Sequence, residues 1–174
     1  MRCSRLQHET HGTHHAFTES VETMLIQGRA IRTWQDLSQR PNILAVGVFA
    51  TALAVYVLTL APGLLWGGGD FALIQTRIAL LSIDADILGH PLYALAAHPF
   101  TWLPIGDMAY RANLSAAVFS ALALALLFRL MHEATKSSKA AILGTLALLV
   151  SHTFWTYAVM PKSYSLNSLL LVTV

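Results

Sequence analysis

The chain has 174 residues, of which 55% are hydrophobic and 11% are charged, and its formal net charge is +2. Soluble globular proteins carry about 25% charged residues, so this composition excludes a disordered protein and an ordinary soluble enzyme and predicts a membrane protein. The net charge is too small to predict a nucleic-acid partner. The single cysteine, Cys3, excludes an internal disulfide and a paired-cysteine metal site.

Residues 1–42 are predicted to form a cytoplasmic tail, partly disordered. The segment HETHGTHH holds four histidines, which can bind metal loosely, although an unstructured polar tail is the interpretation we prefer. Apolar residues then recur at helical spacing beside Arg29 and Arg32, which predicts an amphipathic helix on an anionic membrane surface. Met24 is a second candidate for the start of the chain, besides Met1.

Uncharged runs predict where the chain crosses the membrane. The run 43–66 has 24 residues and would be about 36 Å long as a helix, enough for a bilayer core of about 30 Å. The runs 112–128 and 140–161 predict two further spans, and another run begins near residue 166 and is unfinished at Val174. We therefore expect an all-α, polytopic transmembrane domain over 43–174, as the front part of a longer membrane protein or a truncated gene product.

The segment 70–106 is predicted to be re-entrant or interfacial. A helix over 71–83 would place Phe71, Ile74, Ile78 and Leu81 on one face. Pro91 suits the first position of a second helix. Pro99 suits a kink or a break, because an interior proline removes a backbone hydrogen bond that lipid cannot replace.

The distribution of basic residues predicts the orientation. Five arginines precede Pro41, and the loop from Arg129 through Lys139 holds three more lysines or arginines, counting both ends. Basic segments favour the cytoplasmic side, so the first loop, 67–110, is expected to be extracytoplasmic. It carries four acids and two histidines: Asp70, Asp84, Asp86, Asp107, His90 and His98. Short loops and the lack of a eukaryotic targeting signal favour a bacterial plasma membrane.

Asp70 and Arg77 are the first candidate site residues. Asp70 follows three glycines, and Arg77 lies two helical turns later on the same side, about 10 Å away along a helix. The two side chains could contact the two ends of one substrate. Alternatively, Asp70 is the N-cap of the helix, and Arg77, like Arg111, extends to lipid headgroups.

The remaining candidates are a histidine and two amides. His90 precedes a proline-started helix at the water boundary and can titrate near neutral pH, whereas His98 is more simply a loop histidine. Asn113 and Asn167 lie at the starts of spans, where a buried amide needs a partner and commonly joins two helices. The aromatic residues near the span ends are predicted to form interfacial belts: Trp66, Tyr93, Trp102, Tyr110, Trp155, Tyr157 and Tyr164.

Three segments resemble the amino-terminal part of a known membrane protein family: YVLTLAPGLLWGGGDF, GHPLYALAAHPFTWLPIGDMAYRANLSAAVFSAL and FWTYAVMPKSYSLN. The family is that of the multi-spanning protein O-mannosyl-transferases, formerly a domain of unknown function, with a glycosyltransferase-C type fold. The resemblance covers about residues 56–167. Its most specific parts include Asn113 in YRANL and Tyr164 and Asn167 in YSLN.

The resemblance implies a transferase that moves a sugar, expected to be mannose, from a polyprenyl-phosphate donor to an acceptor protein or glycan. The active site would lie on the extracytoplasmic face, with membrane lipids around it and no cofactor or metal besides the lipid-linked donor. Asp70 is then expected to be the general base. Arg77, His90, Arg111 and Lys162 are expected to bind the substrate or its phosphate.

Two positions depart from the family pattern. The first acid expected after the first span is Gly67 here, and a glutamate expected before YSLN is Lys162. These differences favour an alternative hypothesis, a non-catalytic membrane fragment or a transporter or assembly module.

Overall fold

The computed structural model describes residues 40–63, 69–81 and 90–174. The predicted tail helix and the histidine tract lie outside the described residues, as do Trp66, Gly67, Asp84 and Asp86. The described residues form helices and turns and contain no strand, which confirms the all-α prediction.

Helix α1 spans Pro41–Leu58. Its proline occupies the first helical position, where the missing N–H costs nothing. One stripe of α1 is buried, at Ala45, Ala52 and Tyr56, whereas Val46 and Leu58 are exposed. Exposed apolar side chains on a helix about 27 Å long suit a lipid environment. The helix ends earlier than the predicted 43–66, because Pro62 disfavours helical backbone at the residue before it.

The segment predicted to be re-entrant contains three short helices. Helix α2 spans Gly69–Leu80 and helix α3 spans Pro91–Ala97, and a 3-10 helix, His98–Trp102, follows α3 directly. Pro91 begins α3, and Pro99 lies where the α-helix changes to the tighter 3-10 form, as the sequence predicts. Helix α2 is shorter than the predicted 71–83 but buries the predicted residues Ile74 and Ile78.

Helix α4, Met108–Thr135, is the longest described helix and contacts each of the others. Its buried face consists mainly of alanines and serines, which let neighbouring helix backbones approach closely. It contains the predicted span 112–128 and continues past Arg129, since a charged residue ends an apolar run without ending a helix. Lys136, in the left-handed conformation, closes it.

The predicted span 140–161 is not one continuous helix. Helix α5, Ser138–Leu149, and helix α6, His152–Ala158, are separated by a bend of 70°. The hydroxyl of Tyr56 donates a hydrogen bond to the carbonyl of Leu149 at the end of α5 (3.3 Å). The indole of Trp155 in α6 donates to Thr59, just after α1 (3.1 Å). These contacts with α1 stabilise the bend. No glycine or proline lies at the bend, so the sequence does not indicate it.

Helix α7, Ser163–Thr173, packs along α4 and contains the start of the unfinished apolar run. At one end of the bundle, Ala45 near the start of α1 packs with Phe128 of α4 and Ala141 of α5. At the other end, the N-terminal half of α4 packs with α2, α3 and α7. The two ends of the bundle are therefore formed by different sets of helices packed on α4.

Two described helices, α1 and α4, are long and apolar enough to cross a membrane, and the bent pair α5 and α6 would make a third span if it crosses as one unit. The chain is accordingly an integral membrane protein with two or three candidate spans among the described residues.

Candidate functional site

Polar side chains concentrate where the N-terminal end of α4 meets α2, the 3-10 helix and the start of α7. Asn113 is fully buried there. Its amide NH₂ donates to the backbone carbonyls of Ala61 (2.9 Å) and Gly63 (3.3 Å), and its side-chain oxygen accepts from Gln75 of α2 (2.8 Å). Asn113 therefore joins three segments, which agrees with the predicted helix-joining role and extends it to the chain after α1.

Arg111 lies two residues before Asn113 and holds the loop that leads into α4. Its Nε donates to Ile105 (2.8 Å), its Nη1 to Thr101 (2.9 Å) and its Nη2 to Gly106 (3.1 Å). All three acceptors are backbone carbonyls. These bonds use three of the five N–H groups of a guanidinium, so Arg111 has a definite structural role, and its predicted contact with phosphate stays a prediction.

Asp107 is the N-cap of α4, and its Oδ1 accepts from the backbone N–H of Tyr110 (2.7 Å). This carboxylate also lines a cavity of about 350 Å³ between α2 and the start of α4. Gln75 lines the same cavity, together with apolar and hydroxyl side chains from both helices: Thr76, Ala79, Leu80, Met108 and Ala109. The cavity thus combines an acidic group and an amide within an apolar wall.

The predicted pair Asp70 and Arg77 both belong to α2. Asp70 is the second residue of this helix, inside its first turn rather than at the preceding N-cap position. Arg77 is half-buried, seven residues later in the same helix. Helix α2 packs against α4 through Ile74 and Ile78, so the fold brings the helix that carries both residues to the end of α4 that carries Arg111.

The aromatic and histidine residues of the first loop have separate roles. Tyr93 was predicted to be an interfacial aromatic residue, but it is buried against Phe119, and its hydroxyl is 3.3 Å from the hydroxyl of Ser115. Burial raises the pKa of Tyr93 to about 12. The ring nitrogen Nδ1 of His98 is 2.8 Å from the carbonyl of Ile78, which confirms that this histidine has a hydrogen-bond partner, although it begins the 3-10 helix and does not lie in a loop. His90 is exposed, directly before α3.

The residues predicted near the YSLN motif lie directly before α7 and within it. Lys162, half-buried, occupies the N-cap position, and its carbonyl accepts from the hydroxyl of Ser165 (3.0 Å). Tyr164 packs on Tyr157 of α6, with ring centroids 4.6 Å apart. Tyr164 and Asn167 help to line an open, mostly apolar groove of about 470 Å³ between α6 and α7. They are therefore separate from the Asn113 cluster.

Sequence reasoning missed Gln75, which links α2 to Asn113. The sequence did contain a signal for Gln75, because this residue adjoins Ile74 and lies three residues before Ile78 on the apolar side of α2. A lone amide among buried apolar residues predicts a hydrogen-bond partner elsewhere in the fold. Ser115, which contacts Tyr93, had no comparable signal, since serine is common in the small-residue faces of membrane helices.

Comparison with known families is decisive for residues 87–174. This half of the chain matches the model of the protein O-mannosyl-transferase TMEM260 N-terminal domain. The chain belongs to this family.

A curated relative extends the similarity beyond that range. Protein O-mannosyl-transferase TMEM260 from Mus musculus is 35% identical over 126 residues, which is 72% of this chain and 18% of the mouse protein. The chain thus spans less than a fifth of the length of this relative. No solved structure matches the chain. The family membership confirms the resemblance deduced from the YRANL and YSLN motifs.

Proposed function

We propose that this chain forms the amino-terminal part of a membrane mannosyltransferase that uses a polyprenyl-phosphate-linked sugar. The observation that supports this proposal best is the convergence of α2, which carries Asp70 and Arg77, with the end of α4 that carries Arg111 and Asn113. Family membership supports a mannosyltransferase-like role. The acceptor would be a hydroxyl group of a protein or glycan on the extracytoplasmic face.

In the proposed reaction, Asp70 acts as the general base. The acceptor oxygen attacks the anomeric carbon of the sugar, the bond between that carbon and the phosphate oxygen breaks, and the acceptor proton passes to the Asp70 carboxylate. A base must come within hydrogen-bond reach of that proton. Proton removal by a positioned carboxylate typically accelerates a reaction by about 10²- to 10⁴-fold.

The leaving polyprenyl phosphate needs positive charge. Arg77 on α2, Lys162 before α7 and the two remaining N–H groups of Arg111 are the proposed partners, and the exposed His90 can add a further donor. Charge-assisted hydrogen bonds to phosphate are about twice as strong as neutral ones. The amino terminus would then be cytoplasmic, with the site on the opposite side. The bacterial plasma membrane inferred from the short loops stays a prediction.

The polyprenyl chain needs an apolar surface beside this site. The short helices of the first loop expose large apolar side chains, among them Leu80, Leu92, Leu95 and Trp102. In water such exposure would be costly, whereas at a membrane interface it suits an isoprenoid chain or the surrounding membrane lipids. The proposal therefore places the lipid chain along α2 and α3.

Replacing Asp70 tests the proposal. In membranes that contain the full-length transferase of which this chain is the proposed part, the change Asp70→Asn should lower mannose transfer from a polyprenyl-phosphate donor to an acceptor hydroxyl by at least about 100-fold, because an amide cannot take the proton. The matched control is Glu133→Gln, which removes an exposed carboxylate near the other end of α4. This control should transfer mannose at the normal rate.

The same assay separates the two hypotheses. Undiminished transfer by the Asp70→Asn variant would remove Asp70 from the mechanism. Absence of transfer by the unaltered full-length protein, when it is folded and supplied with donor and acceptor, would favour the non-catalytic membrane module suggested by Gly67 and Lys162.

A further inference from the structure

We infer that Asn113 is a positioning residue, which holds α2 in a defined place relative to the end of α1 through its contact with Gln75. This inference deepens the proposed function, because it rests on α2 carrying the proposed base. Asn113 itself is fully buried and is not proposed to contact the substrate.

The three hydrogen bonds of Asn113 fix the direction of both amides. Two backbone carbonyls, those of Ala61 and Gly63, face the Asn113 NH₂ group, so this group must be the donor and the Asn113 oxygen must point the other way. That oxygen accepts from the Nε2 of Gln75. Gln75 is itself 97% buried, with only 3% of its surface exposed. The direction of each amide therefore follows from the backbone after α1.

The contact joins parts of the chain that are distant in sequence. Ala61 and Gly63 follow the last turn of α1, Gln75 lies in the middle of α2, and Asn113 is near the start of α4. Asp70 precedes Gln75 by five residues, about 7.5 Å along the helix axis. A shift of α2 at Gln75 would therefore displace the proposed base.

The other described contacts of α2 restrain it less specifically at this point. Ile74 and Ile78 pack in an apolar cluster with α3, α4 and α7, and apolar packing is not directional. His98 contacts the carbonyl of Ile78, which lies in the C-terminal half of α2. The bond between Asn113 and Gln75 thus supplies the directional restraint closest to Asp70 among these contacts.

A distance measurement tests this inference without any assay of activity. Spin labels are attached to cysteines introduced at Leu58 in α1 and Ala72 in α2, both exposed, in full-chain protein that carries Cys3→Ser. We expect a narrow distribution of label–label distances in this protein. The change Asn113→Asp keeps the size of the side chain but turns an oxygen toward the two carbonyls, so the distribution should broaden.

The control variant is Thr145→Val. Thr145 is fully buried in α5, and its hydroxyl bonds to Ala141 within the same helix. Loss of this hydroxyl should leave the distance distribution unchanged. Equal broadening in the Thr145→Val and Asn113→Asp proteins would overturn the inference, because it would show general loosening of the bundle. An unchanged distribution in the Asn113→Asp protein would also overturn it.

Kinetics supply a second, independent readout. Misplacement by about 1 Å can lower a rate about 100-fold, so kcat per folded molecule of the Asn113→Asp protein should fall to that extent, with little change in the KM for the donor. A fall in kcat no larger than that of the Thr145→Val protein would contradict a positioning role.

The change Gln75→Glu adds a signature in the pH profile. Only the protonated form of the new carboxyl group can donate a hydrogen bond to Asn113, and burial raises the pKa of such a group. The kcat of this variant relative to the unaltered protein should therefore rise as the pH falls from about 8 to about 6. A flat ratio would count against the inference.

The outcomes distinguish a failed inference from a failed function. If the unaltered protein transfers no mannose but the distances broaden only in the Asn113→Asp protein, the proposed function fails and the restraint by Asn113 stands. If mannose is transferred and the distances and rates are unaffected by Asn113→Asp, the function stands and the inference fails.

Discussion

Arg111 shows how a single residue can combine two plausible roles. A guanidinium is a natural partner for phosphate, which is the role that the family resemblance implies for Arg111. The structure shows its three nitrogens bonded to the carbonyls of Thr101, Ile105 and Gly106. Gly106 has a φ of +55°, a conformation that glycine adopts without strain. Arg111 thus stabilises a loop of unusual backbone geometry.

The change Arg111→Lys should destabilise the protein measurably. A lysine keeps the charge but cannot reproduce a planar fork that reaches three carbonyls. Loss of two hydrogen bonds from a partly exposed charged group should cost about 1–3 kcal/mol, seen as a lower thermal unfolding temperature in detergent. Arg129→Lys is the matched control. Arg129 is exposed, and its ion pair with Glu133 is long, at 4.0 Å, so this change should have little effect on stability. Equal stability of both variants would show that the loop is held by other contacts.

At the scale of elements, α4 organises the described part of the fold. Asp107 caps its first turn, and Lys136 closes its last. Between these ends, alanine and serine side chains leave room for α1, α5 and α7 to pack closely. Asp107 and Gln75 line the same cavity, so the start of α4 forms part of the wall of the candidate site.

Two substitutions at Asp107 separate the contribution of helix capping to stability from the contribution of the negative charge. Asp107→Ala removes the acceptor for the Tyr110 N–H and should lower stability by about 1 kcal/mol. Asp107→Asn keeps a good capping residue without the charge, so its stability should stay close to that of the unaltered protein. Chemical unfolding monitored by circular dichroism would measure both. Equal losses in the two variants would assign the effect to charge instead.

At the scale of the whole molecule, the two ends of the bundle differ in chemistry. The start of α1 lies beside the turn between α4 and α5, and this end carries Lys136 and Lys139. The opposite end carries Asp107, Arg111 and Asn113. The orientation predicted from the basic residues, with the first end in the cytoplasm, stays a prediction.

Cysteine labelling measures this orientation directly. In a Cys3→Ser background, a cysteine at Ile105 should react with a membrane-impermeant maleimide in intact cells or sealed vesicles of native orientation. A cysteine at Lys136 should react only after permeabilisation. Both positions are exposed, so access is set by the membrane and not by burial. Labelling of both cysteines from the same side would refute the predicted topology and, with it, the proposed location of the site.

The sequence by itself determined the membrane class, the all-α fold, the helix start at Pro91, and the family. These features depend on local properties, because apolar runs, prolines and short motifs act over a few neighbouring residues. The tertiary structure decided the bend between α5 and α6, the burial of Tyr93 and the three bonds of Arg111. It also decided the contact between Gln75 and Asn113, which are 38 residues apart. Such features depend on which helices pack together, and hydrophobic periodicity does not specify that choice.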